Sequence, residues 1–364
     1  MISFEKKEKY DLEDYPLEKD YRRIRTRNYT ITLVLFVVAA VVGFVSILCT
    51  HFPGLTMSVS LDVILAHLRG EEYGEFYFDL ITWEYFTPRA IVAVFAGAGL
   101  AVGGCIMQSL MRNPLADPYT TGVASGASFG AALFIMLGFS IIPTSNYSLA
   151  LTTNAILFSL IPTAAIIAIS RKKSITPTTM ILAGVAVMYV FRASTSIMTL
   201  SADSSAVEQL YLWNVGSVAQ DSWDNVPIIV AATVICSVLL MFFTKDVTIM
   251  TSGDKSSRSM GVNTRLVRLL CFAIMAVLTA VIVGYTGTIG FMGLVAPHVA
   301  RMLVGSNLKY LLPCSAACGA VILVCCDLLT KLFASELPVG VVTSIVGGPI
   351  FIILLIKGAR KVWY

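Results

Sequence analysis

Asp327, Arg192 and the pair His298 and Arg301 stand inside long apolar runs of this chain. A charged group is expensive at bilayer depth, so each asks for a partner or a task. His298 could relay a proton or ligate a metal. Metal sites need several ligands gathered in one place, and with 3 histidines in 364 residues the sequence points to no metal centre. A membrane enzyme would want carboxylates or histidines clustered at one depth, and the chain is poorly supplied with them. Nor does any stretch fit Gly-x-x-x-x-Gly-Lys-Ser/Thr, the loop that cradles nucleotide phosphates. The chain therefore reads as a non-enzyme without cofactors of its own, and any ATP and Mg driving it would sit on a separate polypeptide. Arg192 has Met188, Tyr189, Thr195 and Ser196 one helical turn away. With no acidic residue among them, its counter-charge must come from another span, a partner chain or a substrate, unless the side chain snorkels outward.

The elements that hold these groups are membrane helices. Hydrophobic residues make up 57% of the chain and charged residues 13%, with mean hydropathy +0.81. A soluble domain carries about twice that charge. Apolar runs near 30–50, 89–110, 118–139, 150–169, 179–200, 226–243, 267–286, 290–304, 313–330 and 339–356 predict ten spans. The run at 290–304 is short and holds Pro297, His298 and Arg301, the mark of a broken or partial span. Charge supports the count independently: with both termini inside, 22 of the 26 Lys and Arg fall on the cytoplasmic side, as the positive-inside rule requires. Residues 1–28 form a polar cytoplasmic segment without a signal-peptide core. Its Arg22, Arg23, Arg25 and Arg27 read as an anchor for the first span rather than a nucleic-acid site. Residues 29–364 form one transmembrane domain. The 8 cysteines show no paired spacing and read as small packing residues.

The loops carry the remaining signals. Met111-Arg112-Asn113-Pro114-Leu115-Ala116-Asp117-Pro118 is a polar, doubly proline-broken loop between two apolar runs. The longest internal cytoplasmic loop, 244–266, contains Ile249 to Val262, which predicts two short helical turns around Gly253, a residue able to take positive φ at a sharp reversal. Thr176, Pro177 and Thr178 close the loop that begins at Ser170. Thr176 suits a helix cap with Pro177 in the first turn, and the same hydroxyls suit a wet constriction. Gly122, Gly126 and Gly130 put a smooth ridge on one helix face, read as close helix packing.

Three blocks in order, the 111–118 loop, Gly293-Leu294-Val295-Ala296-Pro297-His298-Val299-Ala300-Arg301, and Glu336-Leu337-Pro338-Val339-Gly340-Val341-Val342-Thr343 followed by Gly347-Gly348-Pro349, resemble the FecCD family. These are permease subunits of type II ATP-binding-cassette (ABC) importers for ferric siderophores, haem and cobalamin. The resemblance covers about residues 31 to 360. It implies an all-α membrane fold with about ten transmembrane helices in the cell membrane. The implied partners are a second permease subunit, identical or related, two ATPase subunits and an extracytoplasmic substrate-binding protein. On it Thr251, Ser252, Gly253, Asp254 and Gly261 form the element that couples to the ATPase, and Thr176, Pro177 and Thr178 form a cytoplasmic gate. Arg89 and Lys331 match basic positions that hold acidic side chains of the binding protein, although Phe86 replaces a further arginine of that pattern. Asn113, Pro114, Asp117, Pro118, Pro297, His298, Arg301, Asp327, Pro338 and Gly340 are expected to be structural, Asp327, His298 and Arg301 joining helices near the cytoplasmic face. Arg192, where the family usually has a small residue, is a candidate for lining the pathway.

A secondary transporter would also show interrupted spans with midplane charges. No inverted repeat is evident, and that reading leaves the ordered loop motifs unexplained.

Overall fold

A computed structural model describes residues 17–49, 54–71, 73–172, 176–333 and 337–358. Residues 1–16 of the N-terminal segment, Lys173 of the basic loop, Glu336 of the Glu-Leu-Pro motif, and Arg360 and Lys361 lie outside the described residues. Within them the chain is all helix and turn, with no strand. The order is α1 (Leu17–Leu48), α2 (Met57–Leu68), α3 (Phe76–Asp79), a π-helical turn (Leu80–Phe86), α4 (Thr87–Met111), a 3₁₀ turn (Pro118–Thr121), α5 (Val123–Leu137), α6 (Tyr147–Lys172), α7 (Pro177–Ser201) and α8 (Ser204–Val215). Then come α9 (Val226–Phe242), α10 (Thr244–Met250), α11 (Asp254–Ser259), α12 (Thr264–Thr286), α13 (Met292–Val304), α14 (Leu308–Phe333) and α15 (Val339–Gly358).

Each of the ten expected segments carries a helix. Among the described residues six helices are long and apolar enough to cross a membrane, and α9 with α10, bent by 57°, makes a seventh. The helices α5, α13 and α15 fall in the shorter apolar class, as does α2, which the apolar runs did not announce.

The short helices have local causes. Pro118 and the left-handed Gly122 (φ 92) hold the 118–121 turn off the axis of α5, so that helix starts at Val123 rather than 118. At 13 residues, α13 is about 20 Å long, well short of the ~30 Å apolar core. Its N-cap is Phe291, which has φ +66, and the helix is the partial span its sequence suggested. Irregular backbone is tolerated at bilayer depth only where protein covers it. Here Gly293 is buried against α4, and Gln108 Nε2 donates to its carbonyl at 3.0 Å.

The helix α4 is the centre of the bundle, packed against α14, α13, α12 and α9 and buried along nearly its whole length. Glycine makes this possible: a Cβ on Gly104 would lie 1.9 Å from the Gly293 carbonyl oxygen, and one on Gly97 2.4 Å from that of Gly319. The expected ridge on α5 meets α6 in the same way, with Gly126 against Phe158 and Gly130 against Asn154. All 8 cysteines are free thiols.

Candidate translocation and coupling sites

The inner end of the bundle is defined here as the end that carries residues 244–266. There α10 and α11 form two short helices joined by Gly253 at φ 107, the positive φ expected for that turn. Ser257 Oγ donates to the carbonyls of Ile249 (3.0 Å) and Gly253 (2.7 Å) and closes the turn on itself. A second set of contacts ties it to the bundle. Asp254 accepts two hydrogen bonds from Arg268 on α12, at 2.9 and 3.1 Å, and pairs with Arg112 at the end of α4. Arg112, the C-cap of α4, takes the left-handed conformation (φ 48) that ends the helix. Partial burial pushes the Asp254 carboxyl up, but the hydrogen bond and charge of Arg268, then the charges of Arg112 and Arg258, outweigh that and hold it below the usual carboxylate range. Thr251, Ser252 and Gly261 lie exposed on the same element, and Gly261 has φ +84. Neither arginine was foreseen as a partner of Asp254, because Arg112 lies 142 residues away in sequence.

Thr176 caps α7: its Oγ1 accepts from the backbone N–H of Thr179 at 3.2 Å, with Pro177 in the first turn. Thr176 and Thr178 are exposed at this end.

Among the interior motif residues, Asp117 packs directly against Gly293. A Cβ there would meet Asp117 Oδ2 at 2.6 Å. The other Asp117 oxygen accepts from the Tyr119 backbone N–H at 2.8 Å, ordering the turn behind Pro118. Asn113 plays the same role one step earlier, accepting from Leu115 N at 3.0 Å around Pro114. Pro297, His298 and Arg301 are buried on α13, and Gly305 N donates back to the Arg301 carbonyl at the inner end of that helix.

Three expectations change at the opposite, outer end. Arg89 and Lys331 are not on an exposed rim: their residues are 1% and 3% exposed. Arg89 Nε donates to Asp327 Oδ1 at 2.7 Å, and Lys331 Nζ lies 3.2 Å from Asp327 Oδ2. Lys331 also donates to Ser46 Oγ at 2.8 Å, Arg89 Nη2 donates to Thr330 Oγ1 at 2.8 Å, and the Phe86 ring lies 4.8 Å from the Lys331 ammonium. Both bases are drawn inward because a fully buried carboxylate needs them more than the surface does. The residue that replaces an arginine at position 86 thus faces a cation. Asp327 itself joins α14 to α4 and α1, but not near the cytoplasmic face. It lies 19 positions past Leu308 in α14, about 28 Å along the helix from its inner end.

Also at the outer end, Gly340 closes a backbone junction. Its N–H donates to Gly216 O at 3.0 Å, and a Cβ there would lie 1.7 Å from Val215 O. Ser217 N donates to Thr286 O at 2.8 Å, completing a meeting of α8, α12 and α15. A cavity of 540 Å³ lies at this junction, lined by Tyr85, Tyr147, Gln209, Trp213, Gly287 and Pro338 among others. Asn214 and Thr288, the residues next to Trp213 and Gly287, line a second cleft of 380 Å³ together with Arg192.

Comparison with known proteins agrees with this arrangement. Residues 31–357 match the FecCD transport family. The Fe(3+)-citrate import system permease protein YfmE of Bacillus subtilis is 33% identical, over 94% of this chain and 99% of its own length. The hemin transport system permease protein HmuU of Yersinia pestis is 34% identical, over 74% of this chain and 81% of its own. Among solved structures, a metal-chelate type ABC transporter in an inward-facing conformation superposes with a TM-score of 0.78 at 28% identity, covering 90% of this chain and 99% of that one. With a family match across nearly its whole length, the chain belongs to the FecCD transport family.

Proposed function

We propose that this chain is the permease subunit of an ABC importer and forms, with a second identical or related permease, the pathway for an iron chelate or a related metal chelate. The observation that carries this is the family match over residues 31–357, with relatives named as permeases for Fe(3+)-citrate, iron(3+)-hydroxamate, hemin and cobalamin. An extracytoplasmic binding protein delivers the chelate at the outer end. Two ATPase subunits, which hold ATP and Mg, dock at the inner end, and both termini of this chain lie on that cytoplasmic side.

The α10–Gly253–α11 element receives the ATPase. Its exposed Thr251 and Ser252 meet the partner, while Asp254 carries the movement to α4 and α12 through Arg112 and Arg268. Thr176, Pro177 and Thr178 narrow the inner mouth, where hydroxyls can line a wet constriction without the cost of a charge. Leu182, Tyr189, Val190, Ile197 and Leu200 on α7 are exposed in the single chain, and the second permease covers that face.

The test is reconstitution of this permease in vesicles with its partner ATPase and binding protein, identified by copurification. ATP-dependent uptake of a ferric chelate, haemin or cobalamin is the expected result. Uptake driven by an ion gradient without ATP would overturn the reading.

A further inference from the structure

Among the described residues, Arg192 is the only charged side chain that lines the 380 Å³ cleft. The other residues that line it are Ala124, Ser125 and Ser128 of α5, Thr195 and Ser196 of α7, Asn214 of α8, and Thr288. The volume is in the range of small-molecule sites. Arg192 lies 15 positions past Pro177 and 9 before Ser201, which places it about 22 Å and about 13 Å along the helix from the two ends of α7. Arg192 is exposed in the single chain, and because lipid is a poor neighbour for a guanidinium at that depth, the cleft it lines is the polar environment open to it.

Hydrogen bonding in the cleft is unevenly spent. Thr195 Oγ1 donates to Phe191 O (3.0 Å), Ser196 Oγ to Arg192 O (2.9 Å), and Thr288 Oγ1 to Asn214 O. Those hydroxyl protons are committed to the backbone. Among the described residues the Arg192 guanidinium makes no ion pair or hydrogen bond, and neither do the hydroxyls of Ser125 and Ser128. One forked cation and two free hydroxyl donors face a cleft to which no described residue contributes a carboxylate. That is the complement of an anion with planar, bidentate oxygens.

We propose that the Arg192 cleft holds carboxylate groups of an anionic metal chelate during its passage, an inference about substrate class that rests on the permease reading above. A neutral chelate would leave the charge and both hydroxyls unmatched, so the cleft selects by charge as well as by size. Asn214 and Thr288 are adjacent to residues of the outer cavity, which puts the cleft beside the Gly216–Gly340 junction.

The experiment measures ATP-driven uptake by the full reconstituted importer with four probes: ferric citrate and haemin, which carry carboxylates, and a neutral ferric trihydroxamate and cyanocobalamin, which carry no carboxylate. Arg192→Ser is expected to lower uptake of the carboxylate-bearing probe that the wild type takes up roughly tenfold or more, the scale of one charge-assisted hydrogen-bonded pair. Arg192→Lys, which keeps the charge, should restore a large part. Copurification of the ATPase reports assembly in both variants. Unchanged uptake in Arg192→Ser, equal losses for carboxylate-bearing and neutral probes, or loss of assembly in both variants would overturn the inference. A wild type that takes up only neutral probes also overturns it while leaving the permease reading intact. No uptake of any probe would remove that reading and this one with it.

Discussion

Asp254→Ala should loosen the coupling element from the bundle without unfolding the bundle. The Arg268 side chain is 2% exposed and loses two hydrogen bonds to a carboxylate. Breaking a fully buried ion pair costs about 3–5 kcal/mol. Asp254 is 26% exposed, however, so water enters when the carboxylate leaves, and Arg112, 36% exposed, adds little. A loss of about 2 kcal/mol is therefore expected, in line with hydrogen bonds to charged groups. It shifts the equilibrium between docked and undocked loop by about thirtyfold. Backbone amide exchange in lipid nanodiscs reads this directly: amides of residues 250–260 should lose protection by that factor while those of α4 and α12 do not. In the assembled importer the same variant should hydrolyse more ATP per chelate moved. The pH dependence has a definite sign. The folded-state carboxyl titrates below its ordinary value of about 3.9, so the stabilisation is present above that value and is lost only as pH falls through the lower folded one. Loop protection should hence show no dependence on this group between pH 5 and 8. Unchanged exchange in Asp254→Ala, or protection that fades across pH 5 to 8 and is abolished by the mutation, would refute the reasoning.

Gly253→Val should uncouple ATP hydrolysis from uptake with the permease still folded. An added Cβ meets nothing closer than Arg112 Nη1 at 3.7 Å, so the cost is backbone strain alone, about 1–3 kcal/mol; coupling equal to wild type would remove this turn from the mechanism. Asp327→Ala should lower stability by about 3–5 kcal/mol or prevent folding, because it leaves Arg89 and Lys331 buried without their carboxylate. Thermal unfolding in detergent checks this, and a small effect would show that both bases can reach solvent. Gly340→Ala forces a methyl into the Val215 carbonyl and should destabilise the outer junction by about 3 kcal/mol, measured as faster exchange of amides near 213–217 and 286–290.

What the sequence determined by itself is the set of features that depend on a few neighbouring residues. Apolar run length placed a helix at every expected span, because a bilayer leaves a backbone little alternative. Gly253 and Thr176 announced a positive-φ turn and a helix cap, since each acts on backbone groups within three or four residues. The shortness of the 290–304 run foretold a partial helix. Partnership between distant charges was decided only in the tertiary structure. Arg89 looked like a surface base until Asp327, 238 residues away, drew it into the interior, and Lys331, one turn from Asp327 on α14, is buried beside it by Ser46 of the distant α1. Arg112 and Arg268 likewise meet on Asp254 only because α4 and α12 end side by side. An arginine in mid-span was legible as costly, but its cleft was not: that required α5, α7, α8 and the Thr288 turn to converge. Local propensity fixes where the backbone turns and crosses, whereas the energy of a charge depends on which groups surround it, and those are supplied by residues far apart along the chain.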